Sequence, residues 1–155
     1  MYDPISPNVN FVEQEKKIEK FWRDEKIFEK SIEERKDGTP YVFYDGPPTA
    51  NGKPHIGHVL TRVIKDMMPR YRTMKGCMVP RKAGWDTHGL PVELEVEKLL
   101  GLDGKEQIEE YGLDPFIGHC KESVWKYKGM WEDFSKTVGF WADMDDPYVT
   151  YDNNF

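Results

Sequence analysis

Cysteine is scarce in this chain: Cys77 and Cys120 are two residues among 155, too few for a disulfide framework and without the paired Cys-x-x-Cys spacing of a structural zinc site. They read as reduced packing residues of a cytoplasmic protein. A basic excess is missing as well. With 22 Lys and Arg against 28 Asp and Glu, the formal charge is −6, which argues against a domain that grips nucleic acid through bulk electrostatics. Any RNA contact must then be local or made elsewhere. No apolar run is long enough to span a bilayer, and the start, Met1-Tyr-Asp-Pro-Ile-Ser-Pro7, has neither a basic n-region nor an apolar run. No membrane contact is expected, and the chain reads as soluble and unprocessed. Repeats, low-complexity segments and linkers are also absent. What is present is one domain's worth of chain, able to bury roughly two-thirds of its unfolded surface, and rich in aromatics: five Trp, eight Tyr and eight Phe.

The most informative stretch reads Tyr41-Val-Phe-Tyr-Asp-Gly-Pro-Pro-Thr-Ala-Asn-Gly-Lys-Pro-His-Ile-Gly-His58. Four β-prone residues, Tyr41 to Tyr44, lead into a Gly/Pro/Asn-rich loop. Ile56, Val59, Leu60, Val63, Ile64 and Met67 then recur at helical spacing. The helix is expected to reach about Lys75, kinked where Pro69 removes an internal hydrogen bond, with Met67, Met68, Tyr71 and Met74 in the core or against a neighbour. In a strand–loop–helix unit the crevice at the strand's carboxyl end is the usual ligand site, and the helix start offers unpaired N–H groups to an anion. His55 and His58 lie at that start, flanking Gly57. The pattern points to a nucleotide whose phosphates meet imidazole N–H donors, with Gly57 leaving bare backbone for a flat ligand. Two plainer readings stand beside it. The histidines can simply cap the helix, or with a later histidine they can ligate a metal, although no helical His-Glu-x-x-His supports the second.

Before this unit, Asn10 and Glu13 form a helix cap and its partner. Phe11, Ile18, Phe21, Trp22 and Phe28 then share one face of a helix reaching to about Lys30. Its other face mixes Glu and Lys, as a solvated side does. Beyond the unit, Cys77-Met-Val-Pro-Arg-Lys82 reads as a second strand, ending in Gly84-Trp-Asp-Thr-His-Gly-Leu-Pro91. Trp85 and His88 are expected to hold that loop, and Asp86 reads on its own as an N-cap or turn residue. Pro91 opens a helix over Val92 to Leu100 that Gly101 closes, and a short one from Lys105 to Tyr111 ends at Gly112. Asp114 then caps a long amphipathic helix with Ile117, Cys120, Val124, Tyr127, Trp131, Phe134 and Val138 on one seam, stopped by Gly139. His119, off the seam, is expected to be solvated. In the acidic tail a short strand is expected at Tyr148 to Tyr151. Asp143, Asp145 and Asp146 lack the register of a calcium loop and read as a solvated turn.

Two of these stretches carry a family resemblance. Gly46-Pro-Pro-Thr-Ala-Asn-Gly-Lys-Pro-His-Ile-Gly-His58 resembles the first signature of the class I aminoacyl-tRNA synthetases, the "HIGH" sequence. Gly84-Trp-Asp-Thr-His-Gly-Leu-Pro-Val-Glu93 is similar to the isoleucyl branch in particular. Leucyl enzymes usually carry Phe where this chain has His88, and valyl enzymes replace the Gly-Trp-Asp run. The likeness runs from about Asn10 to the end, and two long motifs at the expected separation leave little room for chance. It implies an α/β fold, the first half of a Rossmann-like nucleotide-binding domain with a parallel sheet core and flanking helices. Residues 1–40 would form an N-terminal helical extension and 41–155 the first half of the catalytic domain.

The resemblance also assigns roles. His55 and His58 are the implied catalytic pair, and Asn51, His55, Gly57 and His58 the implied ATP-binding set. Gly46 and Pro47 would flank the isoleucine side chain, where a glycine and a rigid proline make a narrow apolar wall. Asp86 would take the α-amino group, a charge-assisted bond worth about 1.5–3 kcal/mol. The implied reaction joins isoleucine to ATP, giving isoleucyl-adenylate and pyrophosphate, and passes the aminoacyl group to tRNA(Ile). Mg2+ would accompany the triphosphate, held mostly by phosphate oxygens, and no metal ligand is assigned in this chain. An apolar pocket separates isoleucine from valine by one methylene, about 1–3 kcal/mol, so editing is also required. The family's editing domain, zinc-binding cysteines, second signature with its lysine and anticodon-binding part have no counterpart here. The chain is therefore expected to be the amino-terminal piece of a larger enzyme, partnered by the remainder. A nucleotide-binding module of the same fold without ligase activity, the matching part of a valyl or leucyl enzyme, and an RNA-binding accessory protein stay open.

Overall fold

A computed structural model describes residues 8–49 and 52–153. Three short parallel strands form the sheet: β1 (Phe43–Tyr44), β2 (Arg81–Trp85) and β3 (Asp143–Val149), in the order β1-β2-β3. Phe43 pairs with Arg81 and Tyr44 with Lys82, while Lys82, Gly84 and Trp85 pair with Asp143, Tyr148 and Val149. The helices α1 (Phe11–Asp24) and α2 (Ile27–Glu33) precede β1, α3 (Ile56–Met74) links β1 to β2, and four helices link β2 to β3. These four are α4 (Leu90–Leu100), α5 (Lys105–Tyr111), α6 (Leu113–Ser123) and α7 (Lys128–Thr137). Parallel strands need such crossovers. The expected α/β architecture with a parallel sheet is therefore present.

Several local expectations are corrected. The first helix does not run unbroken to Lys30: Asn10 caps it as expected, accepting from the Glu13 N–H at 3.3 Å, but Lys26 adopts φ 51 and divides it into α1 and α2. The turn lets Trp22 and Phe28 close on the same Trp141 ring, with centroids 5.0 and 5.9 Å away. The long helix after Asp114 is likewise two helices, parted by a turn over 124–127, and its cap lies two residues earlier, at Gly112. Val124 at that turn and Trp131 on α7 still join Trp85 and Val92 in one buried cluster. The second strand begins at Arg81 rather than Cys77, and the third covers Asp143–Val149. The aspartates belong to that third strand where its register slips, with the Asp143 carboxylate accepting the N–H groups of Asp145 and Asp146. His119 keeps an exposed side chain, as expected, with its Nε2 3.0 Å from the Tyr111 hydroxyl.

α3 reaches Met74, with Pro69 inside it, as expected, and the largest correction concerns which of its faces is buried. Its buried residues are Arg62, Asp66 and Pro69, whereas Leu60 is 65% exposed and Met74 76%, with Met67, Met68 and Tyr71 exposed too. Polar partners turn this face inward. Asp45 takes Arg62 Nη1 at 2.8 Å, and Asp66 accepts Arg81 Nη1 at 2.8 Å and the Arg70 guanidinium. Burial moves the Arg81 guanidinium down to about 10, against the opposing pull of Asp66. Its charge is stacked as well as paired, with Arg81 5.7 Å and Arg70 3.8 Å from the Trp141 ring.

Candidate functional site

The start of α3 is closed by its own histidines. His55, in extended backbone, accepts the Gly57 N–H on its Nδ1 at 3.1 Å, and the His55 N–H donates to Nδ1 of His58 at 3.0 Å. Two of the donors left over at any helix start are thereby satisfied reciprocally. The plain capping reading is thus realised, and it has a chemical consequence. A neutral imidazole that accepts at Nδ1 carries its proton on Nε2, so each ring keeps one N–H donor that the cap does not use. The rings lie 3.8 Å apart at 36°. A Cβ on Gly57 would sit 2.9 Å from Cε1 of His55, so glycine is what lets the first ring fold back over the backbone.

His58 is held below the ordinary histidine range of 6.5, first by partial burial, then by the charges of His55 and Arg62. An imidazole with a lowered folded value binds its proton more readily when unfolded. Acidification through and below 6.5 therefore weakens the fold, and the neutral donor form holds at pH 7. In an NMR titration the Cε1–H of His58 is expected to have a midpoint under 6.5, and a midpoint above it would contradict this capping geometry.

The loop and strand ends complete the site. Asp45, at the end of β1, has a side chain 1% exposed and receives Lys65 Nζ at 2.8 Å as well as Arg62. Lys65 Nζ also donates to the Gly46 carbonyl at 2.6 Å, and the Tyr148 hydroxyl donates to that of Asp45. Gly46 is exposed and Pro47 half-buried. Burial, then Asp45 and Asp86, push the Tyr148 hydroxyl up. Its ring lies flat on Gly84, where a Cβ would come within 2.3 Å of it. Asp86, just past β2, gives its N–H to the Pro48 carbonyl at 3.1 Å and accepts the Thr49 hydroxyl at 3.1 Å. His88 Nδ1 lies 2.6 Å from the Thr150 hydroxyl, in the loop-holding role expected of it.

Thr49 is the hinge of this arrangement. It touches Asp86 on one side and on the other lines a cleft of about 270 Å³ with Gly52, Lys53, His55, His58 and Trp131. Thr49 thus links the cleft lined by the two imidazoles to Asp86 just past β2, while Gly46 and Pro47 follow β1 along the chain and Gly57 lies between the histidines. Asn51 lies outside the described residues. Sequence reasoning missed Thr49, Trp131, Tyr148 and the Asp45 network. Only the strand-to-loop position of Asp45 offered a signal for any of them. Among the described residues no group of three or more His, Cys, Asp or Glu could hold a metal ion. No helix among them is long and apolar enough to cross a membrane.

The family model of class I tRNA synthetases for I, L, M and V matches residues 17–155. The chain belongs to the class I tRNA synthetases. Within this synthetase family it is 64% identical over its whole length to an isoleucine–tRNA ligase of Clostridium kluyveri, and 61% identical to that of Clostridium novyi. An isoleucine–tRNA ligase 2 of Bacillus cereus is 58% identical over 93% of the chain. The chain spans about 15% of the length of these curated relatives. In structure it resembles the LeuRS of Agrobacterium radiobacter K84, solved as a ternary complex with tRNA and LeuAMS, at a TM-score of 0.60 and 19% identity. That match covers 88% of this chain and 15% of the LeuRS chain. The shared class I synthetase fold agrees with the parallel sheet described above.

Proposed function

We propose that this chain is the amino-terminal part of the catalytic domain of an isoleucine–tRNA ligase, contributing half of the site where isoleucine and ATP are joined. The observation that carries this is the gathering, around Thr49, of two Nε2–H donors on one side and the Asp86 carboxylate on the other. Isoleucine's own carboxylate is the nucleophile and attacks the α-phosphorus in line, with pyrophosphate leaving. His55 and His58 donate to the phosphates, and the helix start adds its dipole, so the chain's part in catalysis is positioning and charge stabilisation. Asp86 takes the substrate ammonium. Gly46 and Pro47 border its side chain, and Asn51 and Gly57 complete the nucleotide contact.

The carboxylates that follow β1 and β2 are engaged, Asp45 by Arg62 and Lys65 and Asp86 by Thr49. That donor set fits a Mg2+ riding on the triphosphate, where it would neutralise charge, better than one caged by side chains. Residues 1–40, of which 8–40 are described and carry α1 and α2, serve as an N-terminal extension, and 41–155 as the first half of the catalytic domain. Transfer to tRNA(Ile) belongs to the whole enzyme in the cytoplasm, with most of the tRNA contact made by its other parts.

The test is ATP–pyrophosphate exchange by the chain combined in trans with the remainder of the synthetase. Exchange is expected to depend on isoleucine and to exceed that of either part alone. No gain on combination would contradict the reading. A nucleotide-binding module without ligase chemistry would bind ATP yet leave exchange at background.

A further inference from the structure

Trp131 sits where α7 meets the nucleotide loop and is only 3% exposed. Its indole Nε1–H donates to the Gly52 carbonyl at 2.8 Å, across 79 residues of sequence. Its ring meets the His58 imidazole edge-on, with centroids 4.7 Å apart at 67°. Arg62, the partner of Asp45, lies 5.8 Å from the same ring, and Phe134 backs it at 5.8 Å. One side chain therefore ties down the loop that enters α3 and also walls the imidazole at its start. His58 is otherwise oriented by the hydrogen bond on its Nδ1 and by the His55 ring 3.8 Å away, and Trp131 bounds the imidazole with a second ring. A phenylalanine would offer a smaller ring without a donor. The indole is distinguished by its donor, and that donor goes to the loop backbone.

We propose that Trp131 is a positioning residue for nucleotide binding, fixing the direction of the His58 Nε2–H by holding the Gly52 loop and the imidazole in one arrangement. This rests on the nucleotide reading of His55 and His58 given above. The indole touches no reacting atom in this role and acts through His58.

The experiment is a thermodynamic cycle on the chain with ATP as the probe, using wild type, Trp131→Phe, His58→Ala and the double variant. Trp131→Phe keeps a ring and removes one neutral hydrogen bond, so ATP affinity is expected to fall about 2- to 12-fold. In the His58→Ala background the same change is expected to cost less than 2-fold, because the group it positions is gone. Equal losses in both backgrounds, as a merely structural tryptophan would give, overturn the proposal. So does an unchanged affinity in Trp131→Phe. If His58→Ala itself leaves ATP affinity unchanged, the nucleotide reading fails and the proposal with it. A measurement on wild type covers the case in which Trp131→Phe does not fold. The Trp131 indole N–H resonance is expected to shift as ATP is added, and a resonance that stays fixed at saturation overturns the proposal.

Discussion

Asp45→Ala is expected to destabilise the chain by about 3–5 kcal/mol, the loss typical when one partner of a buried ion pair is removed. That is a large part of the 5–15 kcal/mol that holds ordinary domains together. The reason is what remains. Arg62 keeps a side chain 5% exposed, resting 4.2 Å from the Phe140 ring, and loses the carboxylate that neutralised it at 2.8 Å. Lys65 loses less, being partly solvated and still within 2.6 Å of the Gly46 carbonyl. Urea unfolding would register the loss as a lower midpoint at unchanged slope. The double variant Asp45→Ala/Arg62→Met, which removes the stranded charge as well, is expected to recover more than half of it. A loss under about 1 kcal/mol in the single variant would mean that water reaches this pair.

The second large effect is functional and splits between two residues. In the complemented enzyme, His58→Ala is expected to lower the exchange rate by about 10²–10³-fold, the cost of about 2.7–4 kcal/mol for losing one preorganised donor to a developing charge. Isoleucine affinity should stay nearly intact. Asp86→Ala is expected to do the reverse, weakening isoleucine by about 10- to 150-fold, the equivalent of about 1.5–3 kcal/mol for one charge-assisted hydrogen bond. Thr49 binds the same carboxylate, so Thr49 must share it or yield it to the substrate. Steady-state exchange at varied isoleucine separates the two effects. If both variants matched wild type, the assignment of His58 and Asp86 would be wrong.

The strand–loop–helix unit was legible because its signals are local: β-prone residues, a Gly/Pro cluster and helical periodicity from Ile56. The breaks in the other helices were not, because the apolar pattern continues in phase across them. Trp22 and Phe28 stay on one stripe, and Cys120 to Trp131 keep their seam. What bends the first pair is Trp141, more than a hundred residues away. In α3 the apolar stripe misled outright. It marks a face that this chain leaves exposed, while Arg62 and Asp66 point inward to partners on β2 and at the end of β1. Periodicity reports which residues share a face, and the charges it treats as polar can decide which face is buried.

At the candidate site, the histidines and Asp86 stood out through motif and family likeness. Their geometry did not. That both Nδ1 atoms are consumed by the backbone, leaving Nε2–H as the donors, follows from the rotation of each ring at the helix start. Thr49 and Trp131 carry no sequence signal because one acts through a loop-to-strand contact and the other across 79 residues.

In the proposed function the imidazoles of α3 and the carboxylate after β2 serve one bipartite ligand. The most direct measurement is a two-dimensional amide NMR titration with isoleucine, with ATP, and with a sulfamoyl analogue that joins the isoleucyl and adenosine parts. Isoleucine should move the signals of Asp86 and Gly46, ATP those of Gly57 and His58, and the joined analogue both sets along one binding curve. Two sets that saturate at different concentrations of the joined analogue, or an analogue that leaves either set unmoved, would contradict it.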